Sequence, residues 1–117
     1  MTDKVASIAK VCHEVNRAYC LALGDTSQVP WEDAPDWQRN SAMHGVEEIM
    51  ENPDLPASSS HEGWLKEKYD TGWKYGRVKN ADTKEHPCCV PFEELPADQK
   101  AKDYIFGAVA RELLAIA

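Results

Sequence analysis

Several things are missing from this chain, and each absence narrows its reading. No stretch approaches the roughly 20 consecutive apolar residues of a membrane-spanning helix, and the N-terminus lacks the apolar core of a signal peptide. The expectation is a cytoplasmic protein with no membrane contact. Cations are in the minority: 13 Lys and Arg face 20 Asp and Glu, for a net charge of −7. A sequence-independent grip on a nucleic acid polymer needs clustered cations to release counterions, and docking on an anionic bilayer needs them too. Neither C-x-x-C nor H-E-x-x-H spacing occurs, so the four Cys and four His suggest no zinc site and no metal or other cofactor is expected. Cys12 and Cys20 stand eight residues apart on one expected helix, about 12 Å along its axis. That is beyond the ~7 Å over which a disulfide can close. With Cys88 and Cys89 they are expected to be reduced thiols. No internal repeat is present.

What is present suits one modest globular core. A chain of 117 residues buries about two-thirds of its unfolded surface. The spacing of Val5, Ile8, Cys12, Val15, Tyr19 and Ala22 predicts an amphipathic helix over residues 3–23, with Asp3 as its N-cap and Gly24 as its stop. A second helix is expected from Pro35 to about Glu51, burying Ala42, Met43, Val46, Ile49 and Met50. Ser59 and Glu62 read as a capping box opening a third helix that ends near Tyr69, before Gly72. Residues 73–78 alternate as a strand does, Asn80 to Lys84 reads as a turn, and Pro87 and Pro91 keep Cys88 to Phe92 extended. A fourth helix is expected from Pro96 or Ala97 to the end, with Ile105, Phe106, Ala108, Val109, Leu113 and Ile116 on its apolar face. The fold class is therefore mostly α: four helices with a short β-hairpin between the third and fourth.

The densest information lies in His61 to Phe92, which holds half of the four Trp, half of the four Tyr, half of the four His and half of the four Cys. Its order of His61, Glu62, Trp64, Lys68, Gly72, Trp73, Tyr75, Gly76, Lys84, His86, Pro87, Pro91 and Phe92, followed by Leu95, Pro96, Lys102 and Asp103, resembles the repeat module of the ryanodine receptor, the RyR domain. The whole chain is similar to the small stand-alone RyR-domain proteins of bacteria and phages. The resemblance implies a single domain in which residues 1–57 form a helical extension packed on a repeat module at 58–117. It also implies a non-enzymatic role, because the receptor modules form interfaces and contribute to ligand contacts. A nucleotide-like ligand is the expectation for the bacterial relatives. The family pattern usually has an aliphatic residue where this chain has Cys89, which makes that thiol a core substitute.

The residues themselves leave alternatives open. His61 to Phe92 carries six basic and five acidic side chains, +1, which leaves −8 for the remainder of a chain whose total is −7. An anionic ligand would favour that segment as one wall of its site. Each Trp is either core or the wall of a cleft that stacks on a planar group; Trp31, set in a loop, and Trp64 are the stronger candidates for the second role. Arg39 lies near the start of the second helix, where a guanidinium can clamp an anion or pair with Glu32, Asp33 or Asp36. His61, at the front of the third helix, and Lys84, near the turn, are further candidates beside their structural readings. The ligand-binding set is thus Trp31, Arg39, His61, Trp64 and Lys84, with no catalytic residue and no metal ligand. The partner expected is a small planar anion. A protein partner or a second copy of the chain stays open, as does a small Cys/His hydrolase built on His61, His86 or Cys88.

Overall fold

The apolar stripe of the N-terminal segment does form a helix, and the computed structural model, which describes residues 2–116, shows what each part of it buries. Among the described residues there are four α-helices: α1 at Thr2–Ala22, α2 at Asp36–Glu51, α3 at Ser59–Asp70 and α4 at Ala97–Ile116. Two strands of two residues each, β1 at Lys74–Tyr75 and β2 at Glu85–His86, lie between α3 and α4. Single 3-10 turns occupy Trp31–Asp33 and Phe92–Glu94, each introduced by a proline. The protein is mostly α. No described helix is long and apolar enough to cross a membrane.

The chain divides into two units: the chain up to Leu55 together with the part from Tyr104 onward, and Pro56–Asp103. In the first unit, Val5, Ile8, Ala9 and Cys12 of α1 form one buried cluster with Val46 and Ile49 of α2 and Ala110 of α4. Phe106, Val109, Leu113 and Leu114 pack against it from α4. The stripe on α1 departs from its expected course in the second half. Cys20 is buried there while Ala22 is exposed, and the neighbour of Ile8 that reaches the core is Ala9. Small residues serve because the helices approach closely. A Cβ on Gly45 would stand 3.0 Å from the Phe106 ring, so α2 meets α4 over a glycine. Met50, expected inside, is 40% exposed, and Ile116 is 79% exposed. Gly24 ends α1 with φ of +87°, a conformation that a Cβ disfavours.

The second unit is held by hydrogen bonds that the sequence pattern foreshadowed with different partners. Ser58 precedes α3 without a side-chain cap, and the expected Ser59–Glu62 capping box is replaced. The Glu62 carboxylate instead accepts the backbone N–H of Phe92 at 3.2 Å, tying the front of α3 to the segment after β2. His61 does similar work: its Nε2 lies 2.7 Å from the Val90 carbonyl, and the ring is buried. Tyr69, at the other end of α3, donates its hydroxyl to the Cys89 carbonyl. Leu65, Cys89, Phe92 and Leu95 are buried.

The expected β-hairpin is corrected. β1 and β2 pair in parallel, Lys74 opposite Glu85 and Tyr75 opposite His86. The cause lies in the connecting turn. Asn80 Oδ1 accepts the N–H groups of Asp82 and Thr83, and Asn80 and Glu85 form an antiparallel bridge of their own. The chain therefore reverses once between Tyr75 and Asn80 and again within residues 80–85, and β2 leaves the second turn running in the same direction as β1. Lys84 adopts φ of +56° to make that exit. Gly76 is buried at the pairing, where a Cβ would overlap the Glu85 side chain.

Candidate functional site

The sequence-selected residues fall in both units. Trp31 and Arg39 belong to the first, and His61, Trp64 and Lys84 to the second.

In the first unit Trp31 is half-buried against the helical core, its ring edge-on to the buried imidazole of His13 with centroids 5.7 Å apart. His13 is fixed by a 2.7 Å contact between Nε2 and the Val29 carbonyl, and the Trp31 backbone N–H donates to the Glu14 carboxylate at 2.9 Å. That bond, opposed by desolvation and aided by the nearby Arg17, leaves the Glu14 carboxyl below its ordinary range. Arg39 forms an ion pair with Asp36 one turn earlier and reaches the Glu32 carbonyl at 3.4 Å. Trp31 is thus engaged by α1, and Arg39 by its own helix and the turn before it.

In the second unit the geometry gathers more than the sequence reading proposed. The rings of His61 and Trp64 stack with centroids 5.5 Å apart and an interplanar angle of 29°. His61 also meets Phe92, at 6.2 Å. Trp64 and His86 meet in a T-shaped contact with centroids 5.1 Å apart, and Trp73 meets the same imidazole at 6.4 Å. The Lys68 ammonium lies 4.4 Å from the Trp73 ring centre and 5.7 Å from that of Trp64. The result is a continuous run of rings, Phe92, His61, Trp64, His86 and Trp73, with one cation shared by two indoles. Trp64, Lys68, Trp73 and His86 are all half-buried and retain solvent-exposed surface.

Local structure explains the convergence. Trp64 and Lys68 are four apart on α3 and share a face. Gly72, at φ of +91°, ends the helix, and the Trp73 N–H returns to the Lys68 carbonyl at 2.8 Å. That bond folds Trp73 back onto the last turn of α3. Lys84 secures the same corner by donating its ammonium to the Thr71 carbonyl at 2.7 Å, so its charge serves a helix end. The parallel pairing then delivers His86 between the two indoles.

The protonation of His86 is defined by its contacts. Its Nδ1 accepts the backbone N–H of Cys88 at 2.9 Å, which leaves the proton of the neutral ring on Nε2. Burial, with the positive charges of Lys79 and Lys68, holds this imidazole below its ordinary pKa of 6.5. It is a neutral N–H donor at pH 7 in a locally positive surround. The same segment discourages thiolate chemistry. Burial raises the thiols of Cys88 and Cys89, although Lys102 opposes it at Cys88 and Lys68 at Cys89. Among the described residues no group of three or more His, Cys, Asp or Glu side chains is arranged to hold a metal ion, and all four cysteines are free thiols.

Lys68, Trp73 and His86 are the residues that the sequence-selected set left out. The Trp64-to-Lys68 spacing was a readable signal for one of them. The place of Trp73 depended on the backbone return across Gly72, and that of His86 on the parallel pairing, neither of which has a spacing signature. The motif residues now have visible work: Glu62 and His61 tie α3 to residues 90–92, Gly72 and Lys84 shape the corner, Gly76 admits Glu85, and Trp64, Trp73 and His86 form the ring cluster. The model of the RyR domain family matches residues 38–115, beginning in α2 and reaching almost to the end of α4. A match over that much of the chain, with its motif residues so employed, places this protein in the RyR domain family.

Proposed function

We propose that this protein is a non-enzymatic binding module for a small anion bearing a planar group, of the nucleotide kind, and that the ligand engages the Trp64, Lys68, Trp73 and His86 cluster. The observation that carries the reading is the electrostatic contrast. The chain has a net charge of −7, yet the cations acting on His86 are Lys79 and Lys68, beside two accessible indoles. A planar ring can stack on indole faces, while an anionic group takes Lys68 and the His86 Nε2–H. The cation–π contact keeps Lys68 positioned before the ligand arrives. A cytoplasmic setting, where nucleotides abound and thiols stay reduced, agrees with this reading.

The test is a thermal-shift screen of mono-, di- and cyclic nucleotides, followed by calorimetry on the parent, Lys68→Gln and Arg39→Ala. Lys68→Gln is expected to weaken binding at least tenfold, and added salt to weaken parent binding. Arg39→Ala is the comparison that locates the ligand: retained affinity agrees with the cluster, and lost affinity returns the site to Trp31 and Arg39. Absence of any nucleotide binding tighter than about 1 mM, a free energy of about −4 kcal/mol, would overturn the proposal.

One observation favours a second reading. Trp37, in the first turn of α2, is 72% exposed. An indole so placed is a common anchor of protein interfaces. If it anchors a second copy of this chain, sedimentation velocity will show concentration-dependent association that Trp37→Ser abolishes. A hydrolase based on Cys88 draws less support, because the imidazole nitrogen nearest that residue already accepts its backbone N–H.

A further inference from the structure

The first unit contains a groove of about 420 Å³ unrelated to the ring cluster. Its walls come from the last turns of α2 and α4 and the first turn of α1. Ile49, Met50, Leu114 and Ala115 make it apolar, and Lys4 and Arg111 supply its charge. The volume lies within the roughly 300–1,000 Å³ typical of small-molecule sites.

Three features of the lining point to one class of occupant. First, no carboxylate side chain among the described residues lines the groove, although acidic residues outnumber basic ones 20 to 13 in the chain. Second, its two cations have no ion-pair partner among the described residues. Arg111 is oriented by carbonyls instead: its Nε donates to Pro53 at 2.8 Å and its Nη2 to Leu55. Those bonds hold the guanidinium plane while leaving its positive charge without a carboxylate partner among the described residues. Lys4 sits in the first turn of α1, where the helix dipole adds positive potential. Third, Met50 stands 40% exposed beside the buried Ile49. Methionine is an adaptable liner of apolar sites, and its exposure has no role in the core cluster.

We infer that this groove binds a linear alkyl carboxylate. The chain lies along Ile49, Met50 and Leu114, and the carboxylate is held by Arg111 and Lys4. Apolar surface alone would accept a neutral alcohol equally well. The two cations, with no carboxylate partner among the described residues, are what select the anion, and they exclude an alkylammonium.

Calorimetric titration of the full chain with sodium octanoate, octan-1-ol and octylammonium chloride tests this directly. The expected order is octanoate first, octanol at least tenfold weaker, and octylammonium without measurable binding. Met50→Glu places a carboxylate in the wall at a position whose side chain is already partly in solvent, and is expected to lose octanoate binding at least tenfold. A melting curve checks that this variant folds. If it does not, Lys4→Gln at the rim is read instead, with a several-fold loss expected. Equal affinity for all three ligands, no octanoate binding tighter than about 1 mM, or undiminished binding by the folded variant would each overturn the inference. Because the ring cluster shares no residue with this groove, octanoate should leave the Trp64 and Trp73 indole N–H resonances unmoved, so the result is independent of the nucleotide reading.

Discussion

At the scale of single residues, the family motif is largely a set of fasteners. Trp73 illustrates the balance between packing and function. It is half-buried, covered on one face by Lys68 and touched by His86. Full core truncations of aromatics cost about 3–5 kcal/mol; the partial burial of Trp73 predicts roughly 2 kcal/mol for Trp73→Ala, readable by urea denaturation. Asp103 carries a different prediction. Burial raises its carboxyl above the ordinary 3.8, against the opposing influence of His61 and Lys102. A group whose folded pKa is raised stabilises most below its unfolded pKa and loses that contribution as pH rises through the folded one. At pH 7 the charged form is therefore a liability, and Asp103→Asn should melt at or above the parent there. A lower melting temperature would mean that the charge makes a contact worth more than its desolvation. The thiols are also testable. Burial pushes Cys12 up to about 11 and raises Cys88 and Cys89, so all three should react slowly with a disulfide reagent at pH 7.5 and quickly once the protein is unfolded.

At the scale of elements, periodicity located the helices but not their fine contacts. α1, α2 and α4 were legible because repeating apolar positions and flanking Gly and Pro leave few alternatives. The buried Ala9 and Ala110 were not, since alanine has no strong preference for either side and is chosen here by close helix approach. The capping box was misread for a related reason. Glu62 has two donors within reach, its own helix end and Phe92, and only the tertiary structure decides between them. Glu62→Ala should then cost about 1–3 kcal/mol, because the Phe92 N–H loses a charged acceptor. The parallel pairing was hidden because alternation marks a strand without giving its direction. It has its own test: Gly76→Ala forces a methyl group into Glu85, and should lower stability by about 1–3 kcal/mol, as overpacking does. An unchanged melting temperature would show that residues 76 and 85 are not held together.

At the scale of the whole molecule, stability should owe nothing to metal or to oxidation: neither EDTA nor a thiol reductant should move the melting temperature by more than about a degree, against the ~2–4 kcal/mol that a disulfide contributes. Acid should act through His86. Its folded pKa lies below 6.5, so on acidification the unfolded chain takes up a proton that the folded site refuses. The His86 contribution is present above pH 6.5 and is lost as pH falls from there toward the folded value; His86→Gln should flatten that part of the stability profile. The candidate site shows the same division between what sequence carries and what it cannot. Trp64 and the local positive balance were readable, whereas the company of Trp73, Lys68 and His86 required the corner at Gly72 and the direction of β2. The most direct test of the binding account uses the four indole N–H resonances of Trp31, Trp37, Trp64 and Trp73 as reporters in a nitrogen-15 titration with a mononucleotide. The account predicts saturable shifts for Trp64 and Trp73 that disappear in Lys68→Gln, with Trp31 and Trp37 unmoved; shifts confined to Trp31 or Trp37, or none at millimolar nucleotide, would contradict it.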